Sequence, residues 1–233
     1  MRRHGLAWLL LFVVLPAFAA APDAKQGTAL IASAERGNVA DIQKLLDAGA
    51  PVNVRDARGR NAVLAATQRG HTEAARLLIA RGADVNAQDD IRDSAFLLAG
   101  ARGHTEIVRA TLAAGANLKS TNRYGGTALI PACHYGHVET VRVLLGSAID
   151  VNHVNNLGWT ALLEAVILGD GGARHAEIIK LLIAHGANVN LPDAQGVTPL
   201  AHAEQRGQRA ISEMLRAAGA REKAPPRKPG AAL

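Results

Sequence analysis

Along this chain, short apolar runs recur between polar punctuation in a fixed order. Each cycle opens on a Thr, Ser or Asn, runs through an Ala-rich apolar stretch, breaks at Gly, resumes with Leu or Ile, and breaks again. In the second run Ile42, Leu45 and Leu46 stand at i, i+3 and i+4, as do Ile178, Leu181 and Leu182. That spacing puts them on one face of a helix. The opening residues are Thr28, Asn61, Ser94, Thr127, Thr160 and Thr198. Each carries a side-chain oxygen that can accept from the free N–H groups of a first turn, so a helix start is predicted at each.

The steps between these openings are 33, 33, 33, 33 and 38 residues. Gly37, Gly70, Gly103, Gly136, Gly169 and Gly207 follow the same period, and so do Gly49, Gly82, Gly115, Ala148, Gly186 and Gly219. A fourth register is apolar and then mostly Asn: Val52-Asn53, Val85-Asn86, Leu118-Lys119, Val151-Asn152, Val189-Asn190. Such a period marks a chain of helix-turn-helix units, none of which can bury its apolar face alone; stacking gives a curved solenoid. Gly at the end of each second helix suits a left-handed cap. Ala148 departs from that rule, so the second helix of the fourth unit is expected to be less well capped.

"DAQGVTPLAHAEQRG" (193–207) and "GHTEAARLLIARGADVNAQD" (70–89) resemble the ankyrin repeat, with its D-x-x-G-x-T-P-L-H opening and G-A-D-V-N close. The resemblance covers about Asp23 to Ala220 as six units, near 23–55, 56–88, 89–121, 122–154, 155–192 and 193–220. The family's Pro is Ala in five of the six, and the residue after its Leu becomes Ile, Leu or Ala. The repeat-five form "GWTALLE…GDGG…H" looks like exported bacterial ankyrin proteins as a group. The fold so implied is all-α: an ankyrin-repeat solenoid of six helix-turn-helix units with β-hairpin-like fingers. The function so implied is a non-catalytic scaffold that binds a partner protein through its concave face.

The first nineteen residues read as a leader. A basic start, "MRR", precedes the apolar run "LAWLLLFVVLPAF" and the small-x-small site Ala17–Ala19. Cleavage after Ala19 is expected, since Pro22 would directly follow a cut after Ala21. An uncleaved N-terminal anchor is the runner-up. The mature chain would then be periplasmic or secreted. Its single Cys, Cys133, allows no internal disulfide. The sequence pI near 10 suggests nucleic acid until its charges are placed. Arg2 and Arg3 belong to the leader, and the tail 221–233 holds four basic residues against Glu222. What remains has 20 basic and 19 acidic residues, a nearly neutral body. No nucleic acid and no membrane insertion after leader removal are expected, and the mature chain is read as a monomer. The Pro-rich tail reads as disordered.

No pattern of a hydrolase, metalloprotease or phosphate-binding loop is present, so no catalytic residue and no cofactor are assigned. His71, His104 and His137 recur at the repeat period, which points to a structural role. "CHYGH", Cys133 to His137, mimics a metal motif, but Cys133 stands where the family has a buried Ala and His134 points the other way; no metal is expected. Asp89, Asp90 and Asp93 read as a solvated turn. Glu164 is the one acid in an otherwise apolar helix; it either faces the groove or bonds a neighbouring unit. An enzyme or small-ligand protein with a pocket at repeats four and five is the alternative reading.

In the family, partner contacts come from the finger positions of D-x-x-G-x-T and from the two residues before G-H. Carried over, they include Arg58 and Arg60 in the second unit, and Arg123, Tyr124, His134 and Tyr135 in the fourth. The fifth gives Asn156, Leu157, Trp159, Ile167 and Leu168. All the Tyr and Trp of the mature chain fall on these positions, in adjacent units. Tyr and Trp dominate interface hot spots, so Tyr124, Tyr135 and Trp159 are expected to form one patch. The five-residue excess, Asp170–Arg174, is expected to form a flexible Gly-rich loop on the far rim of the groove.

Overall fold

The computed structural model of the chain describes residues 24–223. The leader, its cleavage site and the tail beyond Lys223 lie outside them. The described residues form twelve helices and no strand, in six antiparallel pairs. The first helices are α1 (Ala24–Arg36), α3 (Ala62–Gln68), α5 (Ala95–Arg102), α7 (Leu129–His134), α9 (Ala161–Ile167) and α11 (Pro199–Gln205). The second helices are α2 (Val39–Asp47), α4 (Thr72–Ala80), α6 (Thr105–Ala113), α8 (Val138–Leu145), α10 (Ala173–Ala184) and α12 (Arg209–Ala217). Each helix packs on its counterpart in the next unit, giving two layers. Ala65, Ala66, Ala99, Ala132 and Ala165 are fully buried in the first layer, where small side chains let neighbouring helices approach. Ile42, Leu78, Ile107, Leu144, Ile178 and Leu182 close the core from the second layer.

Four of the six openings cap as predicted. Asn61 Oδ1 accepts from Leu64 N at 3.0 Å, Ser94 Oγ from Leu97 N at 3.3 Å, Thr160 Oγ1 from Leu163 N and Thr198 Oγ1 from Ala201 N, each at 3.2 Å. Thr28 does not cap: it lies inside α1, which already starts at Ala24. Thr127 does not cap either. Pro131 has no N–H to give the Thr127 carbonyl, so the first turn does not close and α7 starts at Leu129.

The fingers are tight turns rather than hairpins of strands. In each, one side-chain oxygen accepts two backbone N–H groups: Asp56 from Arg58 and Arg60, Asn122 from Tyr124 and Gly126, Asn155 from Leu157 and Trp159, all within 2.9–3.0 Å. Neighbouring fingers are joined by Asp90 N donating to Arg58 O at 3.1 Å and Asn156 N to Tyr124 O at 3.0 Å. Arg92 takes the left-handed turn position, φ 65°, that Gly59, Gly125, Gly158 and Gly196 fill elsewhere.

The recurrent Asn of the fourth register ties unit to unit. Asn53 Nδ2 donates to Gly82 O at 3.1 Å while its Oδ1 accepts from Asp84 N at 2.7 Å. Asn86, Asn152 and Asn190 make the same pair to Gly115 and Asn117, Gly186 and Asn188, and Gly219 and Arg221. Between units three and four both partners differ, with Lys119 for Asn and Ala148 for Gly. There α8 ends on a right-handed Gly146, and Ser147 Oγ and N both donate to Leu144 O. The end of α8, expected from Ala148 to be less well capped, is held by these two Ser147 bonds in place of the glycine turn of the other units.

The tail does not begin at Arg221. Thr198 Oγ1 donates to Arg221 O at 2.8 Å, and Lys223 bridges to Val197, so residues 221–223 close the last finger.

Candidate functional site

The fingers of units four and five bring Tyr124 and Leu157 side by side through the Asn156 to Tyr124 bond. The C-terminal ends of α7 and α9 supply His134, Tyr135 and Leu168 beneath them. Together with residues of unit three these line a cleft of about 850 Å³. Tyr124 is 55% exposed and Tyr135 56%, and Leu157 and Leu168 are exposed as well. Arg123 lies over the Tyr124 ring, 4.8 Å from its centroid. Tyr135 stacks on His134 at 4.3 Å and tilts against His137 at 6.0 Å. Asp93, Arg102 and Arg123 stand around the cleft.

Not every expected contact residue joins it. Trp159 is half-buried and outside the lining, so the aromatic patch is Tyr124 and Tyr135 with His134, without the indole. Asn156 and Ile167, exposed and half-buried, also lie outside the lining. Arg58 is exposed in the second finger. Arg60 is 5% exposed and engaged inside the protein: it meets Asp56 at 2.8 Å, donates to Gln68 Oε1 at 2.6 Å, and stands 3.6 Å from Glu35. A side chain so enclosed is a strut of the first two units rather than a free contact.

Of the extra residues of unit five, Asp170, Gly171 and Gly172 form a turn, and Ala173 and Arg174 begin α10. Gly172 caps α10, which spans 12 residues where α2, α4, α6 and α12 each span 9. None of Asp170–Arg174 lines the cleft. Asp170 Oδ1 sits 2.7 Å from His175 Nδ1, while His175 Nε2 donates to His134 O at 2.9 Å. His71 Nε2 donates likewise to Glu35 O at 3.2 Å. His175 is thus a fourth rung of the periodic histidines, displaced five positions by the insertion. It packs the inserted turn against the end of α7, behind the cleft.

Glu164 is the residue that sequence reasoning left open. It is 7% exposed and lines the cleft. Asn155 Nδ2 donates to its Oε1 at 3.1 Å, and Oε2 is buried without a hydrogen-bond partner. Burial raises its pKa to about 7, against the bond from Asn155. His134 Nδ1 stands 3.6 Å from Oε2, and burial, followed by the His175 charge, holds the His134 pKa below its ordinary value. Both groups therefore lean towards their neutral forms, and the pair is not a formed ion pair. Burial, with a smaller contribution from Glu164, also pushes the Cys133 thiol up, away from the thiolate that metals bind. Among the described residues, no three His, Cys, Asp or Glu groups converge as ion ligands.

Comparison with known proteins fixes the lineage. The family described as ankyrin repeats in three copies matches residues 4–89, 95–173 and 148–224. This chain belongs to the ankyrin-repeat family. An ankyrin repeat domain from Acinetobacter baumannii is 52% identical, with TM-score 0.80 over 82% of this chain and 98% of that one. The ankyrin repeat protein EF0377 is 38% identical, with TM-score 0.79 over 82% and 97%. The ankyrin repeat domain of Bcl-3, of the IkappaB family, is 27% identical with TM-score 0.74 over 83% and 86%. The ankyrin repeat protein YahD of Escherichia coli K12 is 47% identical over 57 residues, which is 24% of this chain and 28% of YahD. Ankyrin repeats are generally non-enzymatic protein–protein interaction scaffolds. Among the described residues, no helix is long and apolar enough to cross a membrane.

Proposed function

We propose that this ankyrin protein is a non-catalytic, monomeric scaffold that holds a partner protein on its concave face, in the cleft of units three to five. One observation carries the reading: among the described residues, four of the seven exposed large hydrophobic side chains, Tyr124, Tyr135, Leu157 and Leu168, stand around a single cleft. Exposed rings grouped over a cavity are the composition of an interface centre. The leader-like N-terminus supports an exported, periplasmic or secreted setting. The test is the affinity for a partner captured from the envelope fraction. Tyr124→Ala with Tyr135→Ala should weaken binding about thirtyfold or more and leave the thermal melt unchanged, since neither ring is core. Wild-type affinity in that variant would remove the cleft as the docking site.

A further inference from the structure

Glu164 occupies a position where the fold asks for no acid. It is the ninth residue after Asn155, and the same register holds Ala65, Leu98 and Pro131 in units two to four. In unit six that register holds His202, whose Nε2 donates to Asp193 Oδ2 at 2.7 Å, while Asp193 Oδ1 holds the finger. Unit five reverses the pair: Asn155 is the donor and Glu164 the acceptor. The reversal leaves a remainder. With its Oδ1 committed to the finger, Asn155 reaches Glu164 Oε1 alone, and Oε2 has no hydrogen-bond partner. A buried carboxylate oxygen without a partner is costly, and this residue is more than nine-tenths buried yet faces the cleft.

The groups around it identify what would satisfy it. From α7 come His134, too far at 3.6 Å for a hydrogen bond, and the protonated thiol of Cys133. From the cleft walls come Asp93, which adds negative charge, and Arg102, Arg123 and His137. Arg102 and Arg123 are exposed, and Arg123 is already set on the Tyr124 ring. That contact shows the ring face accepting a cation. None of these side chains hydrogen-bonds Oε2, and a donor that reaches it through the cleft passes two tyrosines and two leucines. A long apolar stem ending in a charged donor fits both parts of the path.

Resting on the partner-binding reading above, we propose that Glu164 receives a lysine or arginine side chain of the bound polypeptide, with its stem against Tyr124, Tyr135 and Leu157. The acid then gives the cleft its specificity for a basic residue. Binding is also linked to protons. Because the Glu164 pKa is raised to about 7, a cation entering below that pH must displace a proton. Affinity should fall about tenfold per pH unit below about 7 and level off above it. Protonation of His134, at still lower pH, would act in the same direction by placing a competing cation beside Oε2.

The experiment uses the whole chain and a displayed library of random linear peptides, selected at pH 8. Bound peptides should share a Lys or Arg whose change to Gln lowers affinity about thirtyfold or more. Glu164→Gln keeps the acceptor for Asn155 and should lose the same affinity without melting earlier, and its residual binding should not vary between pH 6 and 8. Peptides that need no basic residue, undiminished binding by Glu164→Gln, or a selection without binders would each overturn the inference. Peptides that depend on Tyr124 and Tyr135 but not on Glu164 would overturn this inference alone. Peptides indifferent to all three would also remove the cleft as the docking site.

Discussion

Arg60→Met should lower the unfolding free energy by about 2–3 kcal/mol, and the loss should show in urea-induced unfolding with no partner present. The guanidinium joins Asp56 at 2.8 Å, Gln68 at 2.6 Å and Glu35 at 3.6 Å while itself almost fully enclosed. Burial alone would raise the Asp56 pKa, yet backbone and side-chain bonds from Arg60 hold it below the ordinary value. Removing one member of a buried pair leaves the other charge uncompensated, a loss of about 3–5 kcal/mol when both are dry. Asp56 and Glu35 keep some access to water, which trims the figure. Asp56 also holds the second finger through two backbone N–H groups, so its disturbance spreads to that turn. A variant that unfolded like wild type would return Arg60 to the pool of candidate contacts.

Glu164→Gln should stabilise the protein at pH 8 by about 2 kcal/mol and make little difference near pH 4. A carboxyl with its pKa raised from 4.5 to about 7 holds its proton more tightly folded than unfolded. Between those values the folded state binds more protons, so stability falls as pH rises, and above about 7 the full penalty is present. A shift of that size is worth about 3 kcal/mol at most, and access to water through the open side of the cleft reduces it. Gln has no charge to desolvate and keeps the bond to Asn155. Asp93, whose pKa burial and then Asp89 also raise, adds a slope of the same sign to both proteins, so the difference between them isolates Glu164. Thermal or urea unfolding at several pH values reads it. A wild-type and variant difference that did not change with pH would mean that Glu164 titrates as an ordinary surface acid.

The periodic part of this fold was legible because each register has a local cause. Asn61, Ser94, Thr160 and Thr198 cap because a short oxygen at that position meets a free N–H group whatever surrounds it. Gly82 has a φ of 84°, as its place at a helix end required. Thr127 failed for an equally local reason, Pro131, which stands in plain view four residues on. The site was less legible because it depends on which way a side chain turns. Tyr124 and Tyr135 share the cleft and Trp159 does not, although all three fit the family's contact positions. Arg60 fits them too, but Glu35 and Gln68 of the adjoining helices enclose it. The inserted residues looked like a loop because of Gly171 and Gly172, yet Ala173 and Arg174 extend α10 and His175 holds the turn in place. Glu164 carried one overlooked signal. Its nine-residue spacing from Asn155 repeats that of His202 from Asp193, and that parallel marks a side-chain pair.

A partner protein should seat between the fingers of units four and five. A photo-crosslinking residue placed at Leu157 in the cleft, and in a separate variant at Glu139 on the exposed side of α8, tests that directly in cells expressing the full chain. Irradiation should join a partner to the Leu157 variant and leave the Glu139 variant unlinked. Adducts at Glu139 with none at Leu157 would contradict the account.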